Sequence, residues 1–309
     1  MSLVNASEPA LRVRGLRKRY GDVAVLHGVD LELPAEAVFG LVGLNGSGKT
    51  TTIECTLGLQ GFQEGEVSVL GRGPAELFRL QGDVVAIFDS PSVPPHLTVR
   101  QCLEHARLLC QRPRRSCAEV ERLLGIENYT RYRIRQLSLG NRRRVSIAQA
   151  LLGEPRLILL DEPFNGLDAG GVDQVLDLIA ELNRETGASF LLSSHQLPYL
   201  ERVCSHVAVL HEGRIAASGE LRDLLADSGS RIVLHSTQGG LAMQLLENDS
   251  RVTDLERLSS THLKMRLREW SSEQLVSFLV EHKAPVCELI RQRASLDNFF
   301  RELTAGGDS

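Results

Sequence analysis

Eight residues, Gly43-Leu44-Asn45-Gly46-Ser47-Gly48-Lys49-Thr50, carry the sharpest chemistry in the chain. They follow the pattern G-x-x-x-x-G-K-[ST], which suits polyphosphate. The glycines let backbone N–H groups approach phosphate oxygens with no Cβ in the way. A helix starting at Gly48 or Lys49 and running on from Thr51 points its positive dipole end at the same anion. Lys49 reaches β- and γ-phosphates, and the Thr50 hydroxyl can ligate Mg²⁺. Other segments offer partner groups. The apolar run Leu157–Leu160 ends in Asp161 and Glu162. Asp161 is placed to hold Mg²⁺, directly or through water, and Glu162 to orient and deprotonate an attacking water. The run from Ser189 ends in His195, which as a neutral imidazole can bond a γ-phosphate oxygen or the lytic water, or serve structurally. Ser138, in Leu137-Ser138-Leu139-Gly140-Asn141, is placed to cap a helix whose N-terminus is a second anion site. Asp89 ends a further apolar run. It either ligates Mg²⁺ from the same sheet edge as Asp161 and His195 or caps the turn before Pro91.

These groups need elements to hold them. Ala37–Val42 reads as a buried strand feeding the glycine-rich loop, and a helix ends near Gly58. Before it, Leu11–Arg14 and Val29–Pro34 alternate like strands of a small antiparallel sheet, with a turn at Tyr20-Gly21-Asp22. Tyr20 either stacks on a purine base or fills a core. Gly65–Gly71 reads as a strand, and Val84–Phe88 as a buried one. A proline-rich loop, Asp89–Pro95, follows. Thr98 caps a helix with Val99, Cys102, Leu103, Ala106, Leu109 and Cys110 at helical spacing. Asn165–Asp168 is a turn before a helix over roughly 172–184. Glu212-Gly213 turns a hairpin. Beyond Ser228 the order βαββαβα suggests a small ferredoxin-like domain with no catalytic constellation.

Bulk properties narrow the classes. The chain has 309 residues, 42% hydrophobic and 24% charged, with a formal net charge of −4, so it is long enough for two domains and is not generally basic. No apolar run approaches the ~18 residues of a membrane span, and the N-terminus lacks a signal-peptide layout. Six cysteines without a C-x-x-C pair read as reduced, mostly buried thiols. Residues 112–144 hold ten arginines, no lysine and three acids. That segment is a solvated helical face, a face near anionic lipid, or a nucleic-acid contact.

Taken in order, the loop at 43–50, Leu-Ser-x-Gly at 137–140, Asp-Glu-Pro at 161–163, Gly-Leu-Asp at 166–168 and His195 resemble the nucleotide-binding subunit of an ABC transporter. The resemblance covers roughly 11–221. It implies an α/β fold: an ABC-type P-loop NTPase with a RecA-like core, an antiparallel β subdomain and a helical subdomain at about 90–150. This nucleotide-binding domain would span 1–228, and the small C-terminal α+β ferredoxin-like domain 229–309. It also implies ATP and Mg²⁺ as cofactors. Gly43, Asn45, Gly46, Ser47, Gly48, Lys49, Thr50 and Thr51 would hold the phosphates, and Tyr20 would stack on adenine. Thr50, Asp161 and Asp89 would serve the metal, with Glu162 as general base, His195 at the γ-phosphate and Lys49 assisting. Ser138, Gly140, Asn141 and Asp168 would serve ATP held across a head-to-tail homodimer.

Two positions depart from the usual pattern. Leu-Ser-Leu-Gly-Asn stands for Leu-Ser-Gly-Gly-Gln, keeping the capping serine and the close-approach glycine. Asp89 stands for a glutamine. An acid there, followed by Ser-Pro, looks like the lantibiotic and bacitracin export or immunity subset of ABC-2-type exporters. The tail Ser295–Thr304 is similar to that of many ABC-2-type ATPases. The implied function is the ATP-hydrolysing motor of a membrane transporter, bound to a separately encoded permease at the inner face of the cell membrane, with no nucleic-acid partner. The alternative is a cytosolic ABC-type ATPase acting on nucleic acid or ribosomes. It would favour two nucleotide-binding halves or a long coiled coil, and the chain has one phosphate loop and no internal repeat.

Overall fold

The computed structural model describes residues 8–90, 93–228, 231–268, 270–292 and 295–305. The chain divides into two units, the first ending at Leu221 and the second beginning at Arg222. The helix Leu221–Ser228 thus falls almost wholly in the second unit, ahead of the division expected after 228. Met1–Ser7 and the Pro91-Ser92 step of the proline-rich loop lie outside the described residues.

The first unit opens with β1 (Leu11–Tyr20) and β2 (Val23–Leu33), an antiparallel hairpin turning at Gly21-Asp22. Next come β3 (Val38–Val42), α1 (Lys49–Thr56) and β4 (Glu64–Val69), which joins β1 to make a three-stranded antiparallel sheet. β5 (Val84–Ile87) precedes α2 (Val99–Leu109), α3 (Cys117–Leu123) and α4 (Leu139–Ala150). The remainder is β6 (Leu157–Asp161), α5 (Ala169–Thr186), β7 (Ser189–Ser194), α6 (Leu197–Val203), β8 (His206–His211) and β9 (Arg214–Glu220).

A six-stranded sheet in the order β5-β6-β7-β3-β8-β9 positions the chemistry. All its pairs are parallel except β8 with β9. β3, β6 and β7 are buried along their whole length, as apolar runs without alternation require when both faces are covered. Register sets the edge: Val42 lies opposite Ser194, and Asp161 opposite Ser193. The residues that follow β3, β6 and β7 therefore emerge side by side at the carboxyl ends of the strands, where open α/β sheets hold ligands. The hairpin turn at Glu212-Gly213 has both residues at positive φ, 46° and 69°, as a two-residue type I′ turn needs.

Two expectations are corrected here. Val84–Phe88 is apolar throughout, yet β5 is only half-buried, because it forms the sheet's edge and has a neighbour on one side alone. Leu109 keeps helical spacing with Val99, Cys102 and Leu103 but is 71% exposed, since only the first turns of α2 reach the core.

The second unit begins inside α7 (Leu221–Ser228), at Arg222, and continues as β10 (Arg231–Ser236), α8 (Gly239–Leu246), β11 (Val252–Arg257), β12 (His262–Leu267), α9 (Ser272–Glu281), β13 (Val286–Gln292) and α10 (Leu296–Ala305). Its sheet runs β11-β12-β10-β13, antiparallel throughout, the ferredoxin-like arrangement. Strand alternation builds the core. Ile232 and Leu234 face Leu263, Met265, Leu275 and Leu279, while Val233 and His235 stay half-exposed.

Candidate nucleotide site

The site begins with the loop that β3 delivers. Gly46 and Gly48 lie at φ 85° and 107°, which side chains rarely adopt. At Gly48 a Cβ would also stand 2.6 Å from Leu26 Cδ2, and at Gly43 it would collide with Ser47 Oγ and the Leu210 carbonyl. With Gly48 at its N-cap, α1 has no side chain over its first N–H groups, which leaves them for an anion. Asn45, Gly46 and Thr50 are open to solvent, and Thr51 is half-buried. Ser47 is 8% exposed, and its Oγ has no partner among the described residues. A buried hydroxyl in that condition fits a ligand oxygen. Lys49 Nζ lies under the loop, donating to the carbonyls of Gly43 at 2.9 Å and Leu44 at 3.2 Å, and pairs with Glu162 Oε1 at 3.3 Å.

Asp161 closes β6 and is 4% exposed. Its Oδ2 accepts from Thr50 Oγ1 at 2.8 Å, and its Oδ1 accepts from Ser193 Oγ. Two hard oxygen donors from two elements thus meet beside the phosphate loop, a donor set that suits Mg²⁺. Glu162 sits at φ 49°, in the left-handed region, with its N–H on the Ser193 carbonyl at 2.9 Å. That backbone turns its carboxylate away from the β6 direction and into a cage. His195 Nδ1 is 3.0 Å from both carboxylate oxygens, and Ser194 Oγ donates at 3.2 Å. An ionised carboxylate only accepts, so His195 can bond to it through Nδ1 only in the tautomer that carries a proton there.

Asp89 leaves the end of β5 and turns to other partners. Its Oδ1 accepts from Arg143 Nη2 at 2.8 Å and from Asn165 Nδ2 at 3.1 Å, and Gln196 Nε2 donates to Asn165 Oδ1 at 2.9 Å. Ser138 accepts from Asn141 N–H at 3.2 Å and caps α4. Ser138 and Leu139 are exposed, and Gly140 and Asn141 are half-buried. Gly140 and Leu139 pack on the Gly166-Leu167 turn: a Cβ at Gly140 would stand 3.2 Å from Leu167 Cδ2. Exposed Asp168 caps α5 through Gly171 N–H at 2.8 Å. The structure therefore brings Lys49, Thr50, Asp161, Glu162 and His195 together, and gathers Ser138, Leu139, Gly140 and Leu167 in a separate cluster on the same chain. Tyr20 is 43% exposed, with Lys18 Nζ 4.5 Å above its ring, so it is no core residue.

Arg143, Asn165, Ser193, Ser194 and Gln196 belong to this network, and the residue types and spacing of the last four do not single them out in the sequence. Arg143 alone carries a signal. It stands four residues before buried Ile147, on the inward face of α4, where a charge needs a partner.

The ABC transporter family profile matches residues 26–165. The uncharacterized ABC transporter ATP-binding protein YdbJ of Bacillus subtilis is 34% identical over 70% of this chain and 71% of its own length. The bacitracin transport ATP-binding protein BcrA of Bacillus licheniformis is 28% identical over 96% of this chain and 98% of its own. Among solved structures, an ATP-binding subunit of an ABC transporter superposes with a TM-score of 0.63 at 31% identity, over 71% of this chain and 93% of that one.

Proposed function

The chain belongs to the ABC transporter family as an ATP-hydrolysing subunit, and on that footing we infer how its residues divide the work. The loop at 43–50 and the first turn of α1 bind the phosphates. Lys49 shifts from the Gly43 and Leu44 carbonyls toward the anion, since three donors on a flexible stem re-aim at little cost. Tyr20, exposed beside Lys18, stacks on the base. Thr50 and Asp161 would hold Mg²⁺, which supplies neutralisation of phosphate charge.

Glu162 is the general base. The observation that carries this reading is its position one residue beyond Asp161, with its carboxylate caged by His195, Ser194 and Lys49. From there it orients a water and takes its proton, and His195, donating through Nδ1, fixes which way the carboxylate faces. Ser138, Gly140 and Asn141 act on ATP held by a second copy: Ser138 is exposed at the N-terminus of α4, and Gly140 packs on the Gly166-Leu167 turn of its own chain. The assembly we propose is a homodimer on a separate permease at the inner membrane face. Among the described residues no helix is long and apolar enough to cross a membrane. Full-length similarity to a bacitracin transport protein supports an ABC-2-type exporter of a peptide of that class.

Glu162→Gln tests the core of this. ATPase should fall by about a thousandfold, while ATP affinity stays within a few-fold and a dimer accumulates with ATP in sedimentation. Lys49→Ala should instead weaken nucleotide binding itself. Normal turnover in Glu162→Gln would remove Glu162 from the role of base.

A further inference from the structure

Arg143 sits five residues past the cap of α4 and is 2% exposed. Its Nη1 donates to the carbonyl of Glu162, and its Nη2 to both the carbonyl and the Oδ1 of Asp89. Asp89 is its ion-pair partner, and the Asp89 side chain is 55% exposed. One buried guanidinium thus joins three pieces of chain: α4, the residue where β5 hands over to the proline-rich loop, and the backbone of Glu162.

The Glu162 end is where this matters. The residue holds φ 49°, a conformation that costs free energy for any side chain and persists only when its surroundings over-determine it. Its carbonyl accepts from Arg143 Nη1 and also from the Asn165 N–H at 3.2 Å. The Asn165 side chain in turn donates to the same Asp89 oxygen that Arg143 holds. The links close a ring, Arg143–Asp89–Asn165–Glu162, with the strained peptide as one member. Because rotating that peptide rotates the Glu162 carboxylate, the ring fixes where a water must sit to lose its proton.

We propose that Arg143 and Asp89 are positioning residues for ATP hydrolysis. Arg143 locks the peptide of Glu162, and Asp89 locks Arg143, so the end of β5 is coupled to the aim of the base. Asp89 acts here as a charged anchor for the guanidinium rather than as a metal ligand. The proposal rests on Glu162 being the base, and the test separates the two.

The test uses the full chain as Arg143→Gln, Asp89→Ala, their double variant and Asp89→Asn. Arg143→Gln and Asp89→Ala should each lower kcat by about tenfold to a hundredfold, with KM for ATP and the Kd of a fluorescent ATP analogue within about threefold. The double variant should be no worse than the worse single, because both cut one ring. Asp89→Asn keeps an acceptor oxygen, so its kcat should recover to several times that of Asp89→Ala. In nucleotide-free protein, amide exchange across 161–168 should quicken in Arg143→Gln and Asp89→Ala alike. Unchanged exchange, additive losses, or a loss confined to KM would overturn the proposal. So would a rise in half-maximal Mg²⁺ in Asp89→Ala and Asp89→Asn but not in Arg143→Gln, which would return Asp89 to the metal. If Arg143→Gln does not fold, Asp89→Ala at its exposed position still carries the exchange and Mg²⁺ readouts. Normal turnover in Glu162→Gln would instead strike the base assignment, and the exchange response would then judge the ring by itself.

Discussion

Ser47 shows how a residue's free state anticipates its ligand. Its hydroxyl is buried in the phosphate loop with no described partner. An unpaired buried polar group costs about 1–3 kcal/mol, a cost removed when the group is deleted. Ser47→Ala should therefore leave the melting temperature of the nucleotide-free chain unchanged or raised, and weaken ATP binding by about tenfold, since a hydrogen bond to a charged oxygen contributes about 1.5–3 kcal/mol. Calorimetric titration with ATP and a melt without it check the two halves; equal affinity would mean that Ser47 faces no phosphate. The cysteines give a second contrast. Burial alone pushes the Cys102 thiol up to about 11, and burial raises Cys204 and Cys55 in the same direction. Cys287 is exposed and Cys110 half-buried. A thiol with its pKa near 11 is about one part in a thousand thiolate at pH 8. A disulfide reagent at pH 8 should accordingly modify Cys287 first and Cys110 next, and Cys55, Cys102 and Cys204 only on unfolding. Mass spectrometry of the labelled peptides reads the order.

Among the elements, α2 depends on its cap. Thr98 accepts from Gln101 N–H and Gln101 returns to Thr98 N–H, while only Val99, Cys102 and Leu103 are buried along eleven residues. Thr98→Ala should cost about 1 kcal/mol and speed amide exchange over 99–109 about fivefold. This cap is legible in the sequence, because threonine ahead of an apolar periodic stretch has one local meaning. So are β3, β6 and β7, the turn at Glu212-Gly213, and the βαββαβα order of the second unit, where period and glycine placement speak locally. Features set by distant neighbours are not legible. Val84–Phe88 has the composition of a central strand and forms an edge, since nothing local tells it how many strands pair with it. Leu109 fits the α2 stripe yet meets solvent because the core ends two turns earlier. In the site, Lys49, Thr50, Asp161 and Glu162 announce themselves by spacing. Arg143 betrays only that it faces inward on α4, and which partners it meets appears only when α4, β5 and β6 are placed together.

At the scale of the whole molecule the same arginine run decides between partners. Ten arginines between 112 and 144 could form a cationic face for nucleic acid, in a chain whose net charge is −4. The structure uses several of them internally. Arg143 is buried against Asp89. Arg115 donates to the carbonyls of Leu151 and Gly153, and Arg142 to those of Ile134, Leu137 and Arg135. Arg114 pairs with Glu154, and Arg112 donates to Gln81. Arg115 and Arg142 thus satisfy backbone carbonyls of the helical region, which is a folding role, while Arg114 and Arg112 are engaged by surface partners. Phosphate binding needs free cations aligned with a backbone, because its affinity comes from counterions released per contact. The full chain should therefore bind duplex DNA no more tightly than about 100 μM at ~150 mM salt, with no dependence on ATP, and with a shallow salt slope equivalent to one or two phosphates. Fluorescence anisotropy on labelled duplex, with and without ATP, measures this directly. Micromolar, ATP-stimulated binding with a slope near three, about one phosphate per residue, would mean that Arg131, Arg133 and Arg135, all exposed, make a nucleic-acid face after all.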